Sequence, residues 1–336
     1  MICHAEKVMV PLPEISARWT GIGKNGKGKA DTVRRAGRFG MMDRDGGLAA
    51  LKERLCGRLA EPGRVETAVP GLALSRFDGE VAGEKCFYSP MVALIVQGGK
   101  RSVIGSREVS YGEGQYMVLG VDMPGVYQIA RASEKLPFLS LSVRLNRQII
   151  SRLMADMPSL VAPVADVSSP MAVAEGTGEL LEAFMRLVDL LGTPSRIPVF
   201  APMILREIHF HLLSGSQGSI LRLFGSGSTQ ASRIAQAISW LRENFAGPLD
   251  MMELAGRVNM APSTFNRHFR QVTGLSPLQF RTQLRLYEAE RLMLVEGMYA
   301  SQAALRVGYE SGSQFSREYK RHFGAPPRRD VAGKRG

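Results

Sequence analysis

The chain is poor in residues that build covalent or metal-held scaffolds. Among 336 residues there are three cysteines, Cys3, Cys56 and Cys86, at wide and irregular spacing. That is neither a disulfide framework nor a zinc pattern, and it suits a reducing cytoplasm. Histidine is scarce too: five in all, with none between Arg64 and Ile150. His209 and His211 form an H-x-H, but on a stretch expected to be helical, where residues i and i+2 do not face each other. No run of 18 apolar residues occurs, so no membrane-spanning helix is expected. The N-terminus has no apolar core with a small-residue cleavage site, which argues against secretion. No glycine-rich phosphate loop and no supported Ser/His/Asp constellation is present. Catalytic residues, metal ligands and cofactors are therefore all assigned as none.

What is present is a globular composition, 45% hydrophobic and 22% charged, with length for two domains and a linker. The net charge of +12 is unevenly placed. Residues 1–40 carry 8 Lys and Arg against 3 Asp and Glu, residues 41–229 carry 19 against 19, and residues 230–336 carry 16 against 9. A basic C-terminal region suits a polyanionic partner, although a merely solubilising surface has the same charge.

Residues 1–45 form a Gly-, Lys- and Arg-rich segment without apolar periodicity, expected to be disordered. A short helix follows over Leu48–Leu59, closed by Pro62-Gly63. From there to Leu145, short apolar runs alternate with Gly and Pro turns, the pattern of a β-sandwich or small barrel. Met91–Val96 is continuously apolar, as in a strand buried on both faces. Gly98-Gly99 reads as the tight turn that brings Arg101–Ile104 back beside it. Helices are expected over Asn146–Met157, Ala172–Leu191 and Pro198–Leu213, the last two as an antiparallel hairpin. The Leu180–Leu191 stripe is read as part intradomain core and part dimer face. The sensor or dimerisation domain thus spans 46–214. The Gly- and Ser-rich stretch 215–230 reads as a linker to a C-terminal domain over 231–332.

That last domain contains an internal repeat. Ile234, Ile238, Leu241 and Phe245 mark a first helix. Asp250 and Glu253 then read as a capping box for a short second helix, and Pro262 as the first residue of a third that ends at Gly274. Ala304, Arg306 and Val307 match Ala255, Arg257 and Val258 at an offset of 49. Ser313, Phe315, Arg317, Tyr319, Lys320, Gly324 and Pro327 match Ser263, Phe265, Arg267, Phe269, Arg270, Gly274 and Pro277 at an offset of 50. The extra residue falls in a turn. Two short helices joined by such a turn form a helix-turn-helix unit, and this chain carries two. Between them Leu278–Glu296 holds no Pro or Gly and is rich in helix formers, a spacer of about 28 Å at roughly 1.5 Å per residue. B-DNA repeats about every 34 Å, so the two units could enter successive major grooves. The faces turned outward would be Ser263, Thr264, Asn266, Arg267 and Arg270 in the first unit, and Ser313, Gln314, Ser316, Arg317 and Lys320 in the second. Arg forks to guanine, Asn and Gln to adenine, and Ser, Thr and Lys suit phosphate.

The stretch Leu254-Ala-Gly-Arg-Val to Phe269-Arg-Gln-Val-Thr-Gly274, then Val307-Gly-Tyr-Glu-Ser311, Gln314-Phe-Ser-Arg-Glu-Tyr-Lys320 and Phe323-Gly-Ala-Pro-Pro327, resembles the DNA-binding domain of AraC/XylS-type regulators. The resemblance implies seven helices, DNA read through both units, and key contacts at Arg267 and Arg317. Ala303 stands where an Ile or Val is usual, and Gly312 offers no side chain to a base. Residues 65–213 are similar to the N-terminal region of one AraC-type subgroup, through Pro70-Gly71-Leu72, Tyr88–Val96, Gln97-Gly-Gly-Lys-Arg101 and Tyr116–Pro124. That implies an α+β architecture: a cupin-like β-barrel with a helical hairpin, then an all-α domain.

The function expected is a cytoplasmic, sequence-specific transcription regulator, an activator, not an enzyme. Its expected partners are double-stranded promoter DNA, RNA polymerase, a small-molecule effector and a second copy of itself, with no membrane. The effector site is not assigned; Phe87, Tyr88, Tyr116 and Tyr127 are possible lining and equally possible core. Cys86 reads as a small buried hydrophobe rather than a redox sensor. Two alternatives are a catalytic cupin fused to a DNA-binding module, which the missing histidines disfavour, and a DNA binder without effector.

Overall fold

The computed structural model describes residues 43–105, 107–157, 170–225 and 230–335. Most of the basic segment 1–45, and residues 226–229 of the expected linker, lie outside them. Helix α1 (Arg44–Arg58) begins earlier than the apolar spacing predicts, because the Asp43 carboxylate accepts the Gly46 N–H at 2.8 Å and caps it. Leu51 and Leu55 are its fully buried positions.

Among the described residues, ten strands then form two antiparallel sheets. The first six are β1 (Gly63–Glu66), β2 (Leu72–Phe77), β3 (Val81–Tyr88), β4 (Met91–Gln97), β5 (Gly99–Ile104) and β6 (Arg107–Gly112). The others are β7 (Gln115–Leu119), β8 (Met123–Ala130), β9 (Phe138–Arg144) and β10 (Met171–Glu175), with helix α2 (Arg147–Asp156) between the last two. One sheet runs β1-β2-β9-β4-β7-β10 and the other β3-β8-β5-β6. The sheets do not close into the barrel expected. The Gly98-Gly99 hairpin does not form either: β5 pairs with β6 and β8, not with β4. Gly98, at φ +84°, instead turns the chain from one sheet into the other.

Alternation along the central strands explains the layering. Val92, Leu94 and Val96 of β4 join Leu139, Leu141 and Val143 of β9 in a core shared with the helices. Their neighbours Ile95 and Phe138 point the other way, into a core shared with the four-stranded sheet. Strand β4 is apolar from Met91 to Val96 because both its faces are covered. The helical cover is α1 with α3 (Gly178–Asp189), α4 (Ile197–Ser214) and α5 (Gly218–Gly225). The helix predicted over Ala172–Leu191 is therefore strand, then helix: β10 pairs with β7, and Thr177 caps α3. Half of the stretch read as linker is α5, with Ile220 and Leu221 buried in the same core.

Seven helices follow: α6 (Gln230–Asn244), α7 (Met251–Arg257), α8 (Pro262–Thr273), α9 (Pro277–Val295), α10 (Ala300–Arg306), α11 (Gly312–Phe323) and α12 (Pro327–Arg335). They pack against the four-stranded sheet along β3 and the loops beside it. Phe87 of β3 lies edge-on to Phe280 of α9 and tilted against Tyr287 of the same helix, with centroids 5.9 and 5.7 Å apart. Asp122, 5% exposed, pairs with Arg242 of α6, whose Nη1 also donates to Ser89 Oγ at 3.0 Å. Lys85 Nζ donates to the His322 carbonyl at the end of α11. A Cβ on Gly105 would stand 2.7 Å from the Thr273 carbonyl oxygen at the end of α8, so only glycine admits that approach.

Glu84 faces the same seam. Burial pushes its carboxyl up to about 7 against the pull of Lys334 from α12, with Glu290 of α9 and Asp330 of α12 adding to the rise. In the unfolded chain its value is ordinary, so the fold binds this proton more tightly. The cost of ionising Glu84 is absent below the unfolded value, grows as pH rises, and is complete above about 7. Glu84→Gln should therefore stabilise the protein by about 1–3 kcal/mol at pH 8 and by almost nothing near pH 4. Thermal unfolding across that pH range checks this; a pH-independent difference contradicts it.

Candidate nucleic-acid interface

Each helix-turn-helix unit is built on a left-handed turn residue. In the first it is Asn259 at φ 53°, and in the second Gly308 at φ 88°, again 49 residues on. Both residue types tolerate that backbone. The turn between α7 and α8 is one residue shorter than that between α10 and α11, where the sequence offset placed the difference. Both second helices end on a left-handed glycine, Gly274 and Gly324, whose N–H returns to Arg270 and Lys320 at 2.8 Å. Half of the expected capping box forms. Asp250 accepts from Met252 and Glu253 N–H, but the Glu253 carboxylate turns to Arg257, 2.7 Å away.

Helices α8 and α11 each bury one aromatic stripe and expose the opposite face. Phe265 and Phe269 are buried in α8; Phe315, Tyr319 and Phe323 are buried in α11. On α8, Ser263, Arg267 and Arg270 are exposed, and Thr264 and Asn266 are half-buried. On α11, Ser313, Gln314, Ser316, Arg317 and Lys320 are all exposed. All ten sequence-predicted residues thus lie off the cores of the two second helices. Two are engaged within their own helix: Asn266 Nδ2 donates to the Pro262 carbonyl at 3.1 Å, and Gln314 Nε2 to Glu318 at 3.1 Å. Gly312 sits in open space, and Ala303 is fully buried in the core of the second unit.

The arginines of this domain divide by what they touch. Arg285 Nε donates to the Phe245 carbonyl at 2.7 Å and its Nη2 to Ala246 and Gly247, closing the C-terminus of α6; Arg281 joins at Gly247. Arg291 holds Glu288 and Glu296, Arg257 holds Glu253, and Arg242 holds Asp122. Among the described residues, the side chains of Arg267, Arg270, Arg317 and Lys320 have no such partner. Arg306, Arg321, Arg328 and Arg329 share that state; what sets the first four apart is that they stand on the exposed faces of α8 and α11, open to an outside anion. Sequence reasoning did not single out the structural arginines, because nothing in the residue type separates a helix-capping Arg from a ligand-facing one.

Model descriptions of known families match two parts of the chain: "AraC-type transcriptional regulator N-terminus" over residues 68–220, and "Helix-turn-helix domain" over residues 254–331. The chain belongs to the AraC family. Among curated AraC-type relatives, the HTH-type transcriptional activator RhaS of Yersinia pestis (strain Pestoides F) is 29% identical over 103 residues. That match covers 31% of this chain and 38% of RhaS. Solved structures of ToxT from Vibrio cholerae share the fold across both domains. One, the apo form of a ToxT variant, has a TM-score of 0.54 at 10% identity, covering 80% of this chain and 99% of ToxT. Another, at 1.65 Å resolution, has a TM-score of 0.56 at 9% identity, covering 79% and 98%.

Other sites resolve differently. His209 is fully buried, its Nε2 accepting the Asn146 N–H at 2.9 Å and its Nδ1 2.6 Å from the Leu205 carbonyl. Burial lowers its pKa, so it is a neutral structural histidine, while His211 faces Glu207. Among the described residues no cluster of three or more His, Cys, Asp or Glu could hold a metal, and no helix is long and apolar enough to cross a membrane. A cavity of about 170 Å³ lies between the two sheets, lined in part by Phe87, Tyr88 and Tyr127. Tyr116 does not reach it and packs in the helix-side core. The α3 stripe is intradomain: Leu180, Phe184, Leu187 and Val188 are all buried. The exposed apolar face belongs to α4, with Val199 63%, Phe200 45% and Met203 63% exposed.

Substitution separates the two classes of arginine. Arg267→Ala and Arg317→Ala should leave stability within about 0.5 kcal/mol of wild type. Arg285→Ala should cost about 1–3 kcal/mol, because it uncovers the Phe245 and Ala246 carbonyls and leaves Gly247 to Arg281 alone. Denaturant unfolding of the three variants checks this; equal losses contradict it.

Proposed function

We propose that this protein is a sequence-specific, double-stranded-DNA-binding transcription regulator that inserts α8 and α11 into successive major grooves. The observation that carries the reading is the pair of outward helix faces with unpartnered cations, separated by a 19-residue helix, α9. Ser263, Thr264, Asn266, Arg267 and Arg270 form the first reading head; Ser313, Gln314, Ser316, Arg317 and Lys320 form the second. Activation through contact with RNA polymerase is the direction we assign, since RhaS is named a transcriptional activator. A small-molecule effector is part of the reading. It is supported by the inter-sheet cavity and by a ToxT structure described as bound to an unsaturated fatty acid, which has a TM-score of 0.52 at 11% identity. Dimerisation is assigned to the exposed α4 face around Val199, Phe200 and Met203. The chain acts in the cytoplasm on this reading, and residues 1–42 take no part in base recognition.

Arg267→Ala should weaken binding to a selected operator by about 1–3 kcal/mol and relax preference at one base pair. Lys320→Ala should weaken all sequences alike and flatten the salt dependence by about one counterion. Titrations on the operator and on a scrambled fragment, at several salt concentrations, check both. Unchanged affinity and unchanged preference in Arg267→Ala contradict the assignment.

A further inference from the structure

The two helix-turn-helix units fill their left-handed turns differently. Asn259 is exposed at φ 53°, whereas Gly308 is half-buried at φ 88°. A left-handed backbone does not by itself demand glycine, since Asn serves at 259. The second turn is crowded from outside its own unit. A Cβ on Gly308 would overlap the Ala246 carbonyl oxygen and stand 2.8 Å from Arg285 Nη2. Ala246 lies just past the end of α6, whose Ile234, Ile238 and Leu241 are buried in the core of the first unit. The glycine therefore answers a contact between the two units.

The corner around Ala246 is tied to both of them. The Phe245 ring packs against the cores of both units. Arg285 of α9 closes the Phe245 and Ala246 carbonyls at 2.7 and 3.0 Å, and its guanidinium lies 5.7 Å from the centroid of the Tyr309 ring. Tyr309, next to Gly308, donates its hydroxyl to Glu318 of α11 at 2.7 Å. The other oxygen of Glu318 accepts from Gln314 Nε2 at 3.1 Å. A path of direct contacts thus runs from the end of α6 to the outward face of α11.

Helix α9 passes through both units and fixes how far apart they stand, but two bodies threaded on one rod can still turn about it. Contacts away from the rod stop that rotation. Phe87 supplies one from the sheet domain, and the α6 corner supplies another inside the DNA-binding domain. Rotation matters because one base pair of B-DNA is about 34° of turn and about 3.4 Å of rise. A head turned by that much meets the neighbouring base pair. We propose that the contact of Ala246 with Gly308, braced by Arg285, is the ruler that sets which half-site spacing this chain accepts. It rests on the reading of α8 and α11 as two heads in successive major grooves. Gly308 and Arg285 act as positioning residues. A methyl group at 308 pushes the second unit off α6, and loss of the Arg285 guanidinium frees the corner. Either change lets α11 turn without altering a base-reading side chain.

The test uses the full chain on a fragment selected from genomic DNA. It adds versions with one base pair inserted or removed between the half-sites, and versions with either half-site scrambled. The quantity read is the ratio of affinities for native and altered spacing. Wild type should lose about tenfold or more for each base pair inserted or removed. Gly308→Ala and Arg285→Gln should cut that ratio to about threefold or less, or move the best spacing by one base pair. Loss of folded protein alone weakens every fragment by the same factor and leaves the ratio unchanged. Arg291→Gln, which releases Glu288 and Glu296 on and beside α9, should keep the wild-type ratio. Circular dichroism checks folding; if Gly308→Ala does not fold, Arg285→Gln decides. A wild-type ratio in either folded variant, equal flattening in Arg291→Gln, or indifference of wild type to spacing when both half-sites matter overturns the ruler alone. If the wild-type chain selects no DNA, or scrambling one half-site changes nothing, the two-headed reading fails instead.

Discussion

The contact on which the rest of the architecture depends is the wedge of Phe87 between Phe280 and Tyr287. Helix α9 serves both helix-turn-helix units, but its inner aromatic residues are spaced so that each unit builds a separate core around one of them. Phe280 closes the first core with Phe269, and Tyr287 meets the second through Phe323. Besides the ring from β3, those cores are linked by α9 itself and by Phe245 just beyond α6, which packs on both. With that ring they form one body. Burying a Phe side chain contributes about 1.5–3 kcal/mol, and each good aromatic pair about 0.5–1.5 kcal/mol more. That is enough to bias an interdomain arrangement and too little to make it permanent.

The polar contacts of the seam follow the same logic. Asp122–Arg242 anchors the sheet domain at α6, Gly105 meets the end of α8, and Lys85 meets the end of α11. The last two contacts fall on the C-terminal ends of the two second helices. The N-terminal halves of α8 and α11, where Ser263–Arg267 and Ser313–Arg317 lie, stay exposed. Docking thus uses the C-terminal ends of these helices while the reading faces stay outward along them, so the sheet domain can set their geometry without covering those faces.

Much of the helical domain was legible in the sequence because its signals are local. Pro262, Gly274, Gly324 and the 50-residue offset mark helix starts, left-handed stops and a repeat, and each constrains only its own neighbours. The outward faces were legible for the same reason: Phe265/Phe269 and Phe315/Tyr319 fix which side is buried. What failed was non-local. Gly98-Gly99 looks like a hairpin turn, but whether β4 pairs with β5 or the chain changes sheets depends on what β9 and β8 offer. Ala172–Glu175 reads as the start of a helix because only its pairing with β7 makes it a strand. Residues 215–230 were read as a linker from their glycines and serines, although Ile220 and Leu221 belong to a core assembled from distant elements. Arg242 carried no motif, and its importance arises only when Asp122 is brought to it across the fold. Phe87 was visible as an aromatic residue but not as a joint.

The central claim is that one chain presents two reading heads on one face of DNA, spaced by α9. Methylation protection of guanine N7 on a selected operator tests it most directly, because that atom lies in the major groove. The structure predicts two clusters of protected guanines about one helical turn, 10–10.5 bp, apart for each bound chain. A single cluster per chain, or two clusters on opposite faces of the duplex, would contradict it.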